Sequence, residues 1–135
     1  MYLFLSGLGS FVCIYSKPQK REIGEADVAV IVNPNNPDGH RWTVEAIEAA
    51  RATLAHRGGW LIVDEAYADL NPSLSAAPLA GRKGLIILRS FGKFFGLAGV
   101  RLGAVLATQE ILSSIEDRLG GWDVSGPALD IGAAA

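Results

Sequence analysis

WLIVDEAY, residues 60–67, is the stretch on which the fold turns. Trp60 to Val63 are uninterrupted apolar residues, and Asp64 and Glu65 stand where the run stops. A short apolar run of this kind fits a strand with sheet neighbours on either side and cover on its faces, as in parallel or mixed sheets. Upstream, TVEAIEAARATLAHRGG (43–59) spaces Ile47, Ala50 and Leu54 at helical intervals. Thr43 is placed as the N-cap, Glu45 falls in the first turn and Gly58-Gly59 ends the helix. Earlier still, VAVIV (28–32) is a second β-branched run that stops at the turn cluster NPNNPDG (33–39). Downstream, LIIL (85–88) and GAVLA (103–107) read as strands, and a helix is predicted around Gln109 to Leu119. Strands alternating with helices or long loops predict an α/β fold: a mostly parallel, mixed sheet flanked by helices.

The strand ends carry the functional signal. Open α/β sheets bind ligands in the crevice beyond the carboxyl ends of their strands. VAVIV leads to Asn36, WLIV to Asp64 and Tyr67, and LIIL to Ser90 and Lys93. Three successive strands deliver polar groups to one edge, which points to a single constructed site. In RSFGKFFGLAGVRLG (89–103), Lys93 sits among glycine, serine and aromatic residues that offer it no obvious solvated face, with Arg101 following. A small anion suits that setting.

Composition limits the alternatives. The chain has 135 residues, one domain's worth, and half of them are hydrophobic. The formal net charge of −2 leaves no basic footprint for nucleic acid or an anionic membrane. Cys13 is the sole cysteine, so no internal disulfide framework exists and a cytoplasmic location is expected. MYLFLSGLGSFVCIYS at the N-terminus is apolar, but it lacks a basic n-region and is shorter than a membrane-spanning helix of ~20 residues. It reads as a buried strand or an irregular start. His40 and His56 lie apart without ligand spacing and read as surface residues, and no metal site is expected. LIVDEAY also has the form of a magnesium-holding strand of nucleotide hydrolases, yet the GxxxxGK[ST] loop that would accompany it is absent, as is GxSxG.

Four signatures in order resemble the large domain of the aspartate-aminotransferase-like enzymes that use pyridoxal 5'-phosphate, over roughly Val28 to Gly103. NNPDG is similar to the family's Asn-Pro-x-Gly turn, DEAY to its Asp-x-x-Tyr, SFGK to its Ser-x-x-Lys and GVRLG to its phosphate-binding arginine segment. The resemblance implies that Lys93 is the covalent Schiff-base anchor and catalytic base. It implies that Asp64 faces the pyridine nitrogen and that Asn36 and Tyr67 hold the ring 3'-oxygen. Ser90 and Arg101 would grip the phosphate.

The residue types suit these roles. A carboxylate against the ring nitrogen favours its protonated form, which the electron sink requires. A lysine forms a Schiff base only after losing its proton, which desolvation and nearby positive charge promote. Arginine matches phosphate by paired hydrogen bonds, to which a serine hydroxyl adds another. Within the family, NPNNPDG and RSFGKFFGLAGVRLG look most similar to threonine-phosphate decarboxylases of cobalamin biosynthesis, relatives of histidinol-phosphate aminotransferases. The implied substrate is a small amino acid phosphate, and full-length members of the family are expected to be homodimers. Residues 1–27 remain unassigned, 28–120 form a partial cofactor-binding large domain and 121–135 begin a connection to a small domain. The family's earlier glycine-rich phosphate turn, its ring-stacking aromatic and its substrate-carboxylate arginine have no counterpart. The chain therefore reads as the central part of a larger enzyme, or as a noncatalytic remnant of one.

Overall fold

The structure is a computed structural model that describes residues 11–14, 23, 26–120 and 124–135. Its strands are β1 (Phe11–Ile14), β2 (Val28–Val32), β3 (Trp60–Asp64), β4 (Leu85–Ser90) and β5 (Gly103–Leu106). They lie side by side in chain order; β1 to β4 are mutually parallel and β5 runs antiparallel to β4. β1 falls inside the segment that the sequence left unassigned. Residues 1–10, 15–22 and 24–25 of that segment, and 121–123 near the other end, lie outside the described residues.

The strands bury one face more deeply than the other. Ala29 and Ile31 in β2, Leu61 and Val63 in β3, and Leu85 and Ile87 in β4 are fully buried. Their neighbours Val28, Val30, Val32, Trp60, Ile62, Ile86 and Leu88 are only half-buried. Side chains alternate across a sheet, so this period of two separates a closed face from a more open one. Helix α1 (Val44–Ala55) covers the closed face with Ile47, Ala50 and Leu54.

The ends of α1 follow its sequence. Thr43 Oγ1 accepts from the Ala46 N–H at 3.2 Å, which satisfies one of the first-turn donors. At the other end Gly58 adopts φ +78°, and the Gly59 N–H donates back to the Leu54 carbonyl at 2.9 Å. Gly59 then passes so close to the start of β2 that a Cβ there would stand 2.7 Å from the Asp27 carbonyl oxygen. Glu48 of α1 accepts from Arg51 at 2.7 Å and from Arg82 at 2.8 Å, tying the helix to the approach to β4. These arginines hold the Glu48 carboxyl below its ordinary pKa, with the Arg51 hydrogen bond as the main cause and burial opposing it.

The crossover from β3 to β4, expected as a loop, is built from single 3₁₀ turns at Ala68–Leu70, Pro72–Leu74 and Ala77–Leu79. After β5 come α2 (Gln109–Leu119) and α3 (Gly126–Ala134). The stretch 121–135, expected as the beginning of a connection, thus carries a helix. Ser125 caps it, and Pro127 sits in the first turn, where a missing N–H costs no hydrogen bond. Gly132 of α3 is pressed against the Leu102 side chain, so this helix lies against the segment between β4 and β5.

Candidate functional site

The register lines up the strand ends: Val32 pairs with Asp64, and Asp64 pairs with Leu88. Asp64 belongs to the open face with Trp60 and Ile62, and Ser90 follows Leu88 on that face two residues later. Asp64 Oδ1 accepts from the Ala66 N–H at 3.0 Å, a local turn that fixes the carboxylate at the end of β3. Oδ2 has no hydrogen-bond donor among the described residues.

Glu65 has the opposite fate. It is fully buried, Ser75 Oγ and the Ala76 N–H donate to its carboxylate at 2.6 Å each, and Arg89 completes the set at 3.2 Å. Arg89 also pairs with Asp69. Glu65 and Arg89 thereby tie the segment carrying Tyr67 to the strand carrying Ser90. This network was not read from the sequence. Glu65 looked like the second half of an acidic strand end, and Ser75 and Asp69 reach it through contacts without periodicity.

Two clefts gather the expected residues. Asn36 and Tyr67 line one of about 340 Å³, together with Asn35, Gly39, Arg41 and Asn71. Ser90 and Arg101 line a second of about 240 Å³, with Gly92 and Ala98 beside them. The pairs assigned to the ring oxygen and to the phosphate are therefore each brought together. The lining of neither cleft includes Asp64 or Lys93.

The first cleft is shaped by the turn after β2. Asn33, fully buried, accepts from the Trp42 N–H at 2.9 Å and donates to the Trp42 carbonyl at 3.3 Å and the Leu74 carbonyl at 3.0 Å. Inside that clamp the Asn35 N–H donates to the His40 carbonyl at 2.8 Å. The Asp38 carboxylate accepts from Asn35 Nδ2 at 2.7 Å and from the His40 N–H at 2.9 Å. Chiefly the His40 backbone bond, and then the Asn35 bond, hold the Asp38 carboxyl below its usual pKa. The peptide bonds before Pro34 and Pro37 are cis. His40, expected as a surface residue, is half-buried with its ring edge-on to Trp42 at 5.6 Å, because the clamp folds it back over that buried indole. Arg41 and Asn71 are lining residues that the sequence did not single out; Arg41 lies two residues beyond the NPNNPDG turn, whose Asn36 carried the reading.

The second cleft is formed by the return of the chain from β4 to β5. Ser90 Oγ accepts from the Gly92 N–H at 3.2 Å, and a Cβ on Gly92 would stand 3.4 Å from Ala98 Cα and 3.6 Å from Ser90 Oγ. Arg101 has φ 57° and ψ 40°, a left-handed conformation rare for a residue with a side chain and often found at functional sites. A hydroxyl and a guanidinium, with room left by the side-chain-free Gly92, suit a phosphate. Across both clefts and the end of β3, the residues fit the cofactor that the sequence implied. Lys93 departs from expectation. It is exposed in the loop that follows β4, where Phe91 and Phe95 stack with each other at 5.4 Å.

Among the described residues no helix is long and apolar enough to cross a membrane, and no cluster of three metal-ligating side chains occurs. The family model described as aminotransferase class I and II matches residues 10–135. A threonine-phosphate decarboxylase from Pseudomonas aeruginosa is 48% identical over 124 residues, covering 85% of this chain and 38% of the relative. One from a Sinorhizobium species is 52% identical over 111 residues, 82% of this chain and 33% of the relative. The chain thus spans about a third of the length of the curated relatives it matches. Among solved structures, histidinol-phosphate aminotransferase from Sinorhizobium meliloti in complex with pyridoxal-5'-phosphate is similar at a TM-score of 0.61 and 32% identity, over 68% of this chain and 26% of that one.

Proposed function

Because the chain belongs to the class I and II aminotransferase family, we propose that it supplies the cofactor-holding centre of a pyridoxal 5'-phosphate enzyme that decarboxylates threonine O-3-phosphate to aminopropanol phosphate, a step of cobalamin biosynthesis. One observation carries the choice of reaction: identity to two threonine-phosphate decarboxylases is 48% and 52%, against 32–37% to histidinol-phosphate aminotransferases. The aminotransferase likeness favours a second reading, amino transfer to or from a phosphorylated substrate, which calls on the same residues. A noncatalytic fragment of such an enzyme is a third reading, favoured by the exposure of Lys93.

Bound pyridoxal phosphate supplies an electron sink for the substrate bond that breaks at the α-carbon. The chain's own residues hold it and manage protons. Ser90 Oγ and the Arg101 guanidinium donate to the phosphate oxygens. Asn36 and Tyr67 donate to the ring 3'-oxygen. Asp64 Oδ2 accepts from the ring N–H and keeps that proton in place, since a carboxylate stabilises the adjacent cation. Lys93 Nζ is the point of covalent attachment. With substrate bound, Nζ would carry the proton that takes the place of carbon dioxide on the α-carbon.

The test is to incubate the chain with pyridoxal phosphate, reduce with borohydride and map the labelled peptide. Label on Lys93 is expected, and label on Lys83 or Lys17 instead overturns the assignment. Release of carbon dioxide from threonine phosphate by the whole protein, against amino transfer from histidinol phosphate, separates the two reactions.

A further inference from the structure

The cleft at Asn36 and Tyr67 has a charged corner that the proposed cofactor contacts do not use. Of its lining residues Arg41 alone carries a charge. We propose that Arg41 makes this corner an anion-binding site and receives the phosphate of the substrate, an inference that rests on the amino acid phosphate reading above.

The backbone on both sides of Arg41 is fixed. The His40 N–H donates to Asp38 and its carbonyl accepts from Asn35, while the Trp42 N–H and carbonyl are both bound to the Asn33 side chain. Trp42 is buried and Arg41 exposed, so the clamp sends successive side chains to opposite sides and leaves Arg41 on the cleft. Fixing the backbone in advance lowers the ordering cost of binding.

The guanidinium is also uncommitted. Arg51, Arg82 and Arg89 each pair with a carboxylate, whereas Arg41 makes no ion pair among the described residues. The carboxylate nearest in sequence, that of Asp38, is taken up by Asn35 and His40. An arginine with no ion-pair partner among the described residues, at a concave site, matches a phosphate by paired hydrogen bonds. The cofactor's phosphate has its own residues, Ser90 and Arg101, in the separate cleft. Two anionic groups thus meet two different arginines. Asn71 adds a neutral donor and acceptor beside Arg41, and a cleft of about 340 Å³ lies within the size range of small-molecule sites.

The experiment titrates the chain, and its Arg41→Ala and Arg41→Lys variants, with O-phospho-L-threonine and with L-threonine, following amide shifts by NMR. Losing a charge-assisted contact should weaken O-phospho-L-threonine by roughly tenfold or more in Arg41→Ala. Arg41→Lys should lie between, and L-threonine should bind all three alike. Amide spectra without ligand establish that the variants fold. Equal affinity of parent and Arg41→Ala for O-phospho-L-threonine overturns the inference, as does a parent chain that binds it no better than L-threonine. Equal loss of pyridoxal phosphate uptake in Arg41→Ala also overturns it, because Arg41 then serves the cofactor. None of these outcomes alters the residue labelled by borohydride, so a failure at Arg41 is distinct from a failure of the cofactor reading at Lys93.

Discussion

Asp64 and Glu65 are adjacent in the chain and point to opposite faces of the sheet: Glu65 is sealed beneath it against Ser75, Ala76 and Arg89, while Asp64 stands half-buried at the strand end with Oδ1 on the Ala66 N–H. Strand alternation alone divides the labour between two acids. One holds the crossover, and the other is left for chemistry.

The two acids should therefore fail in different ways. Glu65→Ala takes one of two carboxylate partners from Arg89 and leaves the buried Ser75 and Ala76 donors unmatched, and each buried donor without an acceptor costs about 1–3 kcal/mol. That is a large share of the ~5–15 kcal/mol that keeps a domain folded. Asp64→Asn keeps an oxygen for the Ala66 N–H and should unfold at nearly the parental urea midpoint, while turnover collapses in the whole enzyme for want of the carboxylate. Parent-like stability in Glu65→Ala, or near-normal turnover in Asp64→Asn, would contradict this division.

Much of the architecture was legible because it rests on local rules. β2 and α2 have the bounds that apolar runs and caps suggest, and β3 and β5 differ by one residue. The six residues named from family motifs all stand at or beyond strand ends, four of them paired across two clefts. What was not legible depends on distant contacts. The Arg89 network joins residues that approach only after the crossover folds, and α3 begins at Gly126 and Pro127 within a stretch expected only as a connection, although the first turn of a helix tolerates proline. The exposure of Lys93 is likewise a property of the loop's path and not of its composition.

Gly59 marks a close approach that leaves no room for a methyl group. An alanine Cβ would meet the Asp27 carbonyl oxygen at 2.7 Å and that of Leu54 at 3.1 Å, both backbone atoms that cannot swing aside. Gly59→Ala should cost about 1–3 kcal/mol by overpacking. Gly99→Ala, with nothing within 4 Å, should shift stability by no more than ~0.5 kcal/mol. Thermal or urea denaturation of the two variants side by side decides the matter, and equal effects would refute the close contact.

Acid should loosen the turn that presents Asn36 and Arg41. The Asp38 carboxyl is held below its ordinary pKa in the folded chain, mainly by the His40 N–H. A depressed folded pKa contributes stability that is present above the unfolded value and lost as pH falls through the folded one. Glu48 acts in the same direction through Arg51. Asp38→Asn still accepts from the His40 N–H but no longer titrates, so the drop in unfolding midpoint from pH 6 to about pH 3 should be smaller than in the parent. An unchanged drop would remove Asp38 from the acid response.

The chain alone should take up cofactor yet fail to turn over substrate. Asn36 with Tyr67, and Ser90 with Arg101, form open clefts, but Lys93 is exposed and lines neither, so no described residue holds its amine against a substrate carbon. Catalysis further requires the substrate to be held with the scissile bond aligned, and good orientation supplies roughly 7–11 kcal/mol of a barrier. Of the groups proposed above, Arg41 alone addresses the substrate, so a single anchor would leave it free to swing about its phosphate. Binding measurements should therefore find pyridoxal phosphate attached to Lys93, while assays for carbon dioxide release from threonine phosphate and for amino transfer from histidinol phosphate stay at the level of free cofactor. Steady multiple turnover that disappears in Lys93→Ala would show instead that these residues orient substrate unaided.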